Sequence, residues 1–103
     1  MKTTYLERRW GGGGRNPTEA ELREALAELE QEDAEHPDCW LSDENNLTIS
    51  AYHGGKVVLE NPETGEGPQH LKDQTPEDIL KLWLFLQDGD LTGIRSKTWK
   101  EGY

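Results

Sequence analysis

The chain has 103 residues, a formal net charge of -10 at pH 7, 32% hydrophobic residues and one cysteine. These values favour a single domain over residues 1–103 with a thin core, and they exclude an internal disulfide. No apolar run of about 18 residues exists to form a membrane-spanning helix. The N-terminal stretch lacks the apolar centre of a secretory signal, so we expect a cytoplasmic protein.

Charge is distributed very unevenly along the chain. Residues 1–15 carry a net charge of +3, residues 16–46 carry -10, and residues 47–103 carry -3. The acidic block would repel a phosphate backbone, so we expect no direct binding of nucleic acid. It would attract a basic protein partner.

The stretch "TTYLERRW" (3–10) predicts a first strand, because threonine and tyrosine favour strands. Four glycines at 11–14 end it, and the lysine-hydroxyl ending of a phosphate-binding loop does not follow them. We therefore interpret the glycine run as a flexible or tightly turned connector and expect it to be mobile in the free protein. Anion binding by Arg15 beside the next helix is the alternative.

The stretch "NPTEAELREALAELEQED" (16–33) predicts a helix with two possible starts. Either Asn16 caps it, followed by a proline, or Thr18 caps it and Glu21 closes a capping box. Leucines and alanines at helical spacing form the apolar stripe, namely Leu22, Ala25, Leu26 and Leu29.

The middle of the chain predicts an antiparallel meander. Short segments rich in strand-forming residues lie at 39–42, 47–53 and 56–61, and a short edge strand is expected at 68–72. Two glycines at 54–55 are typical of a tight hairpin turn between the second and third of these segments.

The stretch "TPEDILKLWLFLQDGD" (75–90) predicts a second helix, with Thr75 as its cap and Gly89 at its end. Its apolar residues cover more than one side, which indicates a buried helix. Phe85 falls outside the main apolar face, and we expect the C-terminal tail to cover it, with a homodimer interface as the alternative. The predicted fold class is α+β: an antiparallel meander of about four to five strands with two helices packed on it.

No residue pattern indicates catalysis, a cofactor or a metal site. His36 and His53 are expected to be exposed, and no nucleophile or carboxylate pattern joins them to His70. Cys39 is expected to be a small buried side chain. A small enzyme that uses His53 or His70 in a tryptophan-lined pocket is the alternative.

The predicted acidic helix is the feature that points to a function. Glutamates spaced by 3, 4, 4 and 3 residues would share one helix face, where like charges destabilise the helix. We interpret them as a surface for a basic partner, with a merely solubilising face as the alternative. Trp10 or Trp99 would add an aromatic anchor. The predicted contact residues are Glu21, Glu24, Glu28, Glu32, Asp33 and Glu35, with Asp43 and Glu44 in the following turn.

The sequence resembles the small immunity proteins of bacterial polymorphic toxin and contact-dependent growth-inhibition systems. The resemblance rests on "WGGGG" (10–14), "NPTEAELREALAEL" (16–29), "LTISAYHGGKVVLEN" (47–61) and "ILKLWLFLQDGDL" (79–91), together with Trp99. It implies a cytoplasmic, non-enzymatic protein that binds and neutralises the C-terminal domain of one cognate toxin, often a nuclease or a nucleic-acid deaminase. It assigns no individual contact residues, because these differ between members. A monomer and a homodimer both fit it.

Overall fold

The computed structural model describes residues 3–103, and over this range the chain forms one sheet of seven strands and three helices. The elements in chain order are β1 (Thr4–Glu7), β2 (Gly13–Arg15), α1 (Glu19–Glu28), β3 (Asp38–Asp43), β4 (Thr48–Tyr52), β5 (Val57–Asn61), β6 (Glu66–Leu71), α2 (Pro76–Asp88), α3 (Leu91–Arg95) and β7 (Lys100–Glu101). None of these helices is long and apolar enough to cross a membrane.

The sheet is antiparallel throughout, in the order β2-β1-β3-β4-β5-β6-β7. The α+β class and the central meander are therefore confirmed, but the sheet is larger than the four to five strands predicted. The two additional strands, β2 and β7, lie at the edges of the sheet and are short and exposed. They contain no run of strand-forming apolar residues from which they could be predicted.

The core lies between one face of the sheet and the helices. Leu6, Leu41, Ile49 and Leu59 align across four neighbouring strands and are all buried. Trp83 of α2 is fully buried, and its indole N–H donates to the carbonyl of Ile49 at 3.0 Å. The opposite face, which we call the helix-free face, carries the alternate side chains of each strand.

Helix α1 begins as one of the two predicted alternatives and ends earlier than predicted. The Thr18 hydroxyl accepts from the backbone N–H of Glu21, whose carboxylate accepts from the N–H of Thr18, so the capping box is confirmed. The helix ends at Glu28, so the prediction that it extends to residue 33 is wrong. Residues 29–37 form an irregular loop, and Glu32 and Glu35 do not share a helix face with the earlier glutamates.

Helix α2 agrees with its prediction at both ends. The Thr75 side chain caps it, and Gly89 ends it in the left-handed conformation at φ 72°. Phe85 is half-buried beneath the C-terminal segment. Its ring lies so close to Gly93 of α3 that a Cβ on Gly93 would be only 3.0 Å from it. The expectation that the tail covers Phe85 is confirmed.

The glycine run forms a tight turn at its start and a strand at its end, so its interpretation as a tightly turned connector holds only for the first part. Gly13 and Gly14 belong to β2 and pair with Glu7 and Leu6, while Gly11 lies in the turn. Gly13 has φ +111°, and a Cβ there would lie 2.0 Å from the carbonyl oxygen of Leu6. Glycine is thus required at this position for β1 and β2 to pair. The mobility of the run stays a prediction.

Candidate functional site

Three consecutive residues after β1 hold the acidic part of the chain in place. Arg8 contacts α1, where its guanidinium lies 2.8 Å from a Glu28 carboxylate oxygen and 3.6 Å from Glu24. The hydrogen bond to Glu28 raises the pKa of Arg8, and this ion pair ties β1 to the last turn of α1.

Arg9 is buried, with 4% of its surface exposed, and it contacts the carbonyls of the loop. It donates to the carbonyl oxygens of Glu28, Gln31 and His36, with distances of 3.0 and 2.9 Å to the last of these. These bonds satisfy the carbonyl of the last residue of α1 and two carbonyls of the loop after it, and a cation at a helix C-terminus is favourable. The sequence reasoning missed this role, because nothing local links Arg9 to a loop about twenty residues away.

Trp10 completes the contact with the loop. Its indole N–H donates to Asp33 at 2.7 Å, while the other carboxylate oxygen of Asp33 accepts from the N–H groups of Glu35 and His36. The hydrogen bond from Trp10 is the main reason that the pKa of Asp33 is lowered. Trp10 remains 46% exposed, so its ring is also accessible as the predicted aromatic anchor.

We define the acidic surface as the carboxylates of α1 from its third residue onward and of the loop that follows it: Glu21, Glu24, Glu28, Glu30, Glu32, Asp33 and Glu35. They are not equivalent. Glu21 serves in the capping box, and Glu28 and Asp33 have internal partners. Within residues 3–103, Glu30, Glu32 and Glu35 are exposed and have no cation within 4.0 Å.

Two further predicted contact residues have internal roles. Asp43 is 4% exposed and accepts from the backbone N–H groups of Asn45 and Leu47, both at 2.9 Å. It holds the β3–β4 turn and leaves little carboxylate surface for a partner, whereas Glu44 beside it is exposed. Both stay predicted contact residues. Trp99 is half-buried against the core and donates to the Ile94 carbonyl at 2.8 Å, which makes it a packing residue and not a free anchor.

The histidines do not come together at one site. His36 and His53 are exposed, as predicted, and His53 Nδ1 lies 2.6 Å from the carbonyl oxygen of Leu29. His53 borders an apolar hollow of about 320 Å³ whose described lining includes Tyr52 and no tryptophan. His70 is 9% exposed, with Nδ1 2.8 Å from the carbonyl oxygen of Gly102.

Cys39 and the acidic side chains offer little for covalent or metal chemistry. Burial raises the pKa of the Cys39 thiol to about 12, so it stays protonated at neutral pH and behaves as the buried side chain expected. Between Thr3 and Tyr103, no group of three histidine, cysteine or carboxylate side chains is placed to hold a metal ion.

The helix-free face is a second accessible surface, which the sequence reasoning did not single out. Trp40 and Tyr52 are half-buried there, and Tyr5 is 47% exposed. The alternation of strand residues contained this signal, because Trp40 lies between the core residues Cys39 and Leu41.

Comparison of the chain with protein-family models, with curated proteins and with solved structures gave no match.

Proposed function

We propose that this chain is a non-enzymatic binding protein that neutralises a basic toxin domain by contacting it with the acidic surface. The observation that carries the proposal is the loop 29–36, which the chain fixes through Arg9 and Trp10 while the carboxylates of Glu32 and Glu35 face solvent. Fixing a loop before it binds lowers the entropy that association costs.

The charge of this surface supports a basic partner. A toxin that acts on nucleic acid has a basic cleft for phosphates, and a row of carboxylates would occupy such a cleft as a phosphate mimic. Complementary charge of this kind mainly speeds association and selects the partner. The cytoplasmic location and the toxin partner rest on the resemblance to immunity proteins.

The homodimer alternative has lost its specific support. It depended on an exposed Phe85, and α3 covers that ring. The enzyme alternative also has no geometric support, because His53 and His70 line different hollows and have backbone carbonyls as their nearest hydrogen-bond partners.

The test replaces exposed acids of the loop that have no internal partner. The double variant Glu32→Lys with Glu35→Lys should slow association with the proposed basic toxin domain by about tenfold or more at low salt. Glu28 is avoided, because its loss would also break the ion pair with Arg8. Association rates would be measured by surface plasmon resonance over a series of salt concentrations.

The matched control makes the same change in net charge at sites outside the acidic surface. Asp88→Lys with Glu101→Lys alters two exposed acids at the end of α2 and on β7. If both double variants slow association equally, overall charge and not the acidic surface governs binding. If neither variant changes the rate or the affinity, the acidic surface is not the contact.

A further inference from the structure

The helix-free face holds a hollow with an acidic side chain on either side. Pairing of β3 with β4 places Asp38 opposite Tyr52, and Trp40 lies two residues further along β3 on the same face. Leu41 points to the core between the helices and the sheet, so these three alternate side chains point away from it.

The hollow has a volume of about 360 Å³, within the range of small-ligand sites. Its walls are Asp38, Trp40, Tyr52 and Glu60, and its polar lining includes the hydroxyls of Ser42 and Thr48. The two hydroxyls lie 3.1 Å apart and bond to each other. Because these hydroxyls bond to each other, the groups that remain for a ligand are the carboxylates and aromatic rings of the walls.

The two acids of the hollow are not neutralised by the described part of the chain. No lysine, arginine or histidine nitrogen there lies within 4.0 Å of Asp38 or Glu60. Burial raises the pKa of Asp38, and the charge of Glu60 raises it further. Glu60 accepts a hydrogen bond from the Tyr103 hydroxyl at 3.0 Å, which leaves its charge in place. A cation in the hollow would relieve this repulsion.

The aromatic rings beside these acids are suited to a cation. At the rim, Lys56 Nζ already lies 5.2 Å from the centroid of the Tyr52 ring and 6.0 Å from that of Tyr103. Tryptophan attracts cations more strongly than tyrosine, and within residues 3–103 no cation lies over the Trp40 ring. The Trp40 indole is therefore the vacant aromatic surface of this site.

The chemistry of the walls selects an organic cation. The described chain offers no group of three metal-binding side chains, whereas a guanidinium stacks on an aromatic ring and bonds carboxylates through its planar edge. A second hollow, of about 520 Å³ and lined by Tyr5, Glu7 and Arg15 among others, lies beside the first and shares Trp40 and Ser42 with it. Together they form an open groove across the sheet, which suits a side chain on an extended polypeptide.

We propose that this groove binds an arginine side chain of a protein partner, with the guanidinium on Trp40 between Asp38 and Glu60. The site lies on the face of the sheet away from α1, so it is separate from the acidic surface. It stands whether or not the partner is a toxin.

The test uses the tripeptide Ac-Gly-Arg-Gly-NH2 and follows the indole N–H signal of Trp40 by NMR. This signal is identified by its loss in Trp40→Phe, and it should shift and saturate with the peptide in the millimolar range. Peptides with lysine or citrulline in place of arginine, and free arginine, should shift it less. An equal response to citrulline would overturn the need for charge, and an equal response to lysine would overturn the assignment to arginine.

Variants at the walls give an independent measure. Asp38→Asn and Glu60→Gln should each weaken peptide binding by about tenfold or more, the loss expected for one charged hydrogen bond. Glu32→Gln removes the same charge from the acidic surface and should leave the affinity unchanged. If Asp38→Asn and Glu60→Gln both bind the peptide as the parent chain does and keep its NMR spectrum, the proposal is wrong.

Discussion

The acidic surface and the groove of the helix-free face are both negatively charged, but the chain treats their carboxylates differently. Around the loop 29–36, Arg8, Arg9 and Trp10 bond to Glu28, Asp33 and the loop carbonyls. In the groove, Asp38 and Glu60 repel each other, and no cationic nitrogen of the described chain lies within 4.0 Å of either carboxylate. Hydrogen bonds and an ion pair from Arg8, Arg9 and Trp10 hold the loop of the acidic surface in place. The two carboxylates of the groove have no cationic partner among the described residues, so a bound cation would stabilise them.

The largest expected effect comes from removing the cation that fixes the loop. Arg9→Ala removes the side-chain donor of three backbone carbonyls. Within residues 3–103, only the carbonyl of Glu28 then keeps a long bond, 3.4 Å from the Gln31 N–H, and we expect the free energy of unfolding to fall by about 3 kcal/mol. Urea denaturation measures it. Arg8→Ala is the control, because its partly exposed ion pair should contribute at most about 1 kcal/mol. Equal losses in the two variants would show that burial of Arg9 does not set the two arginines apart.

The next effect concerns the hairpin that borders the groove. Gly13→Ala should cost about 1–3 kcal/mol, because its Cβ would collide with the Leu6 carbonyl in a strained backbone conformation. Gly12→Ala has a similar positive φ but open space around the new Cβ, so its cost should be smaller. Urea denaturation of both variants separates collision from backbone strain. Similar costs would mean that β1 and β2 move apart easily.

Capping and terminating residues predicted those helix ends that depend only on neighbouring residues in the sequence. The start of α1 follows from Thr18 and Glu21, and the end of α2 follows from Gly89. The end of α1 did not follow from its own residues, because the side chain that bonds to its last carbonyl, that of Glu28, belongs to Arg9. β2 escaped prediction because glycine carries no strand signal.

The two candidate surfaces show the same limit. The acidic block was visible in the sequence. The burial of Asp43 was not, because it depends on the β3–β4 turn, which folds around the Asp43 carboxylate. The groove joins Asp38 of β3 to Glu60 of β5, and only the register of three strands brings them to one hollow. Distant pairings of this kind are set by tertiary packing and not by local propensity.

A smaller effect is expected from acid at the fixed loop. The folded pKa of Asp33 lies below its unfolded value, so its contribution to stability is present above about pH 3.9 and is lost as pH falls through the folded pKa. Asp33→Asn should therefore flatten the fall of melting temperature between about pH 4 and pH 2. Glu21, Glu66 and Asp78 shift in the same direction and will keep part of that slope.

The matched loss of charge for this measurement is Glu32→Gln, which has no bond to Trp10. Melting temperatures would be followed by circular dichroism in buffers of constant ionic strength. An acid slope that is identical in Asp33→Asn and the parent chain would contradict a stabilising bond between Trp10 and Asp33. It would also mean that the Asp33 carboxylate is no better stabilised by its surroundings than the two carboxylates of the groove.

The smallest change in stability, and the sharpest contrast with Asp33, is expected at Asp38. Its folded pKa is raised by burial and by Glu60. Tyr52 lies opposite Asp38 on β4, with Lys56 and Tyr103 beside it. The folded state therefore binds the proton more tightly, and stability falls as pH rises from about 3.9 through the folded pKa.

At pH 7 the ionised Asp38 thus destabilises the fold, so Asp38→Asn should raise the melting temperature by up to about 4 °C, the shift that 1 kcal/mol gives in a domain of this size. Asp88→Asn, at the exposed end of α2, controls for the general loss of an acid. A residue that lowers stability and yet strengthens arginine binding is expected at a binding site and not in a structural network. A lower melting temperature for Asp38→Asn would mean instead that Asp38 supports the sheet, as Asp43 supports its turn.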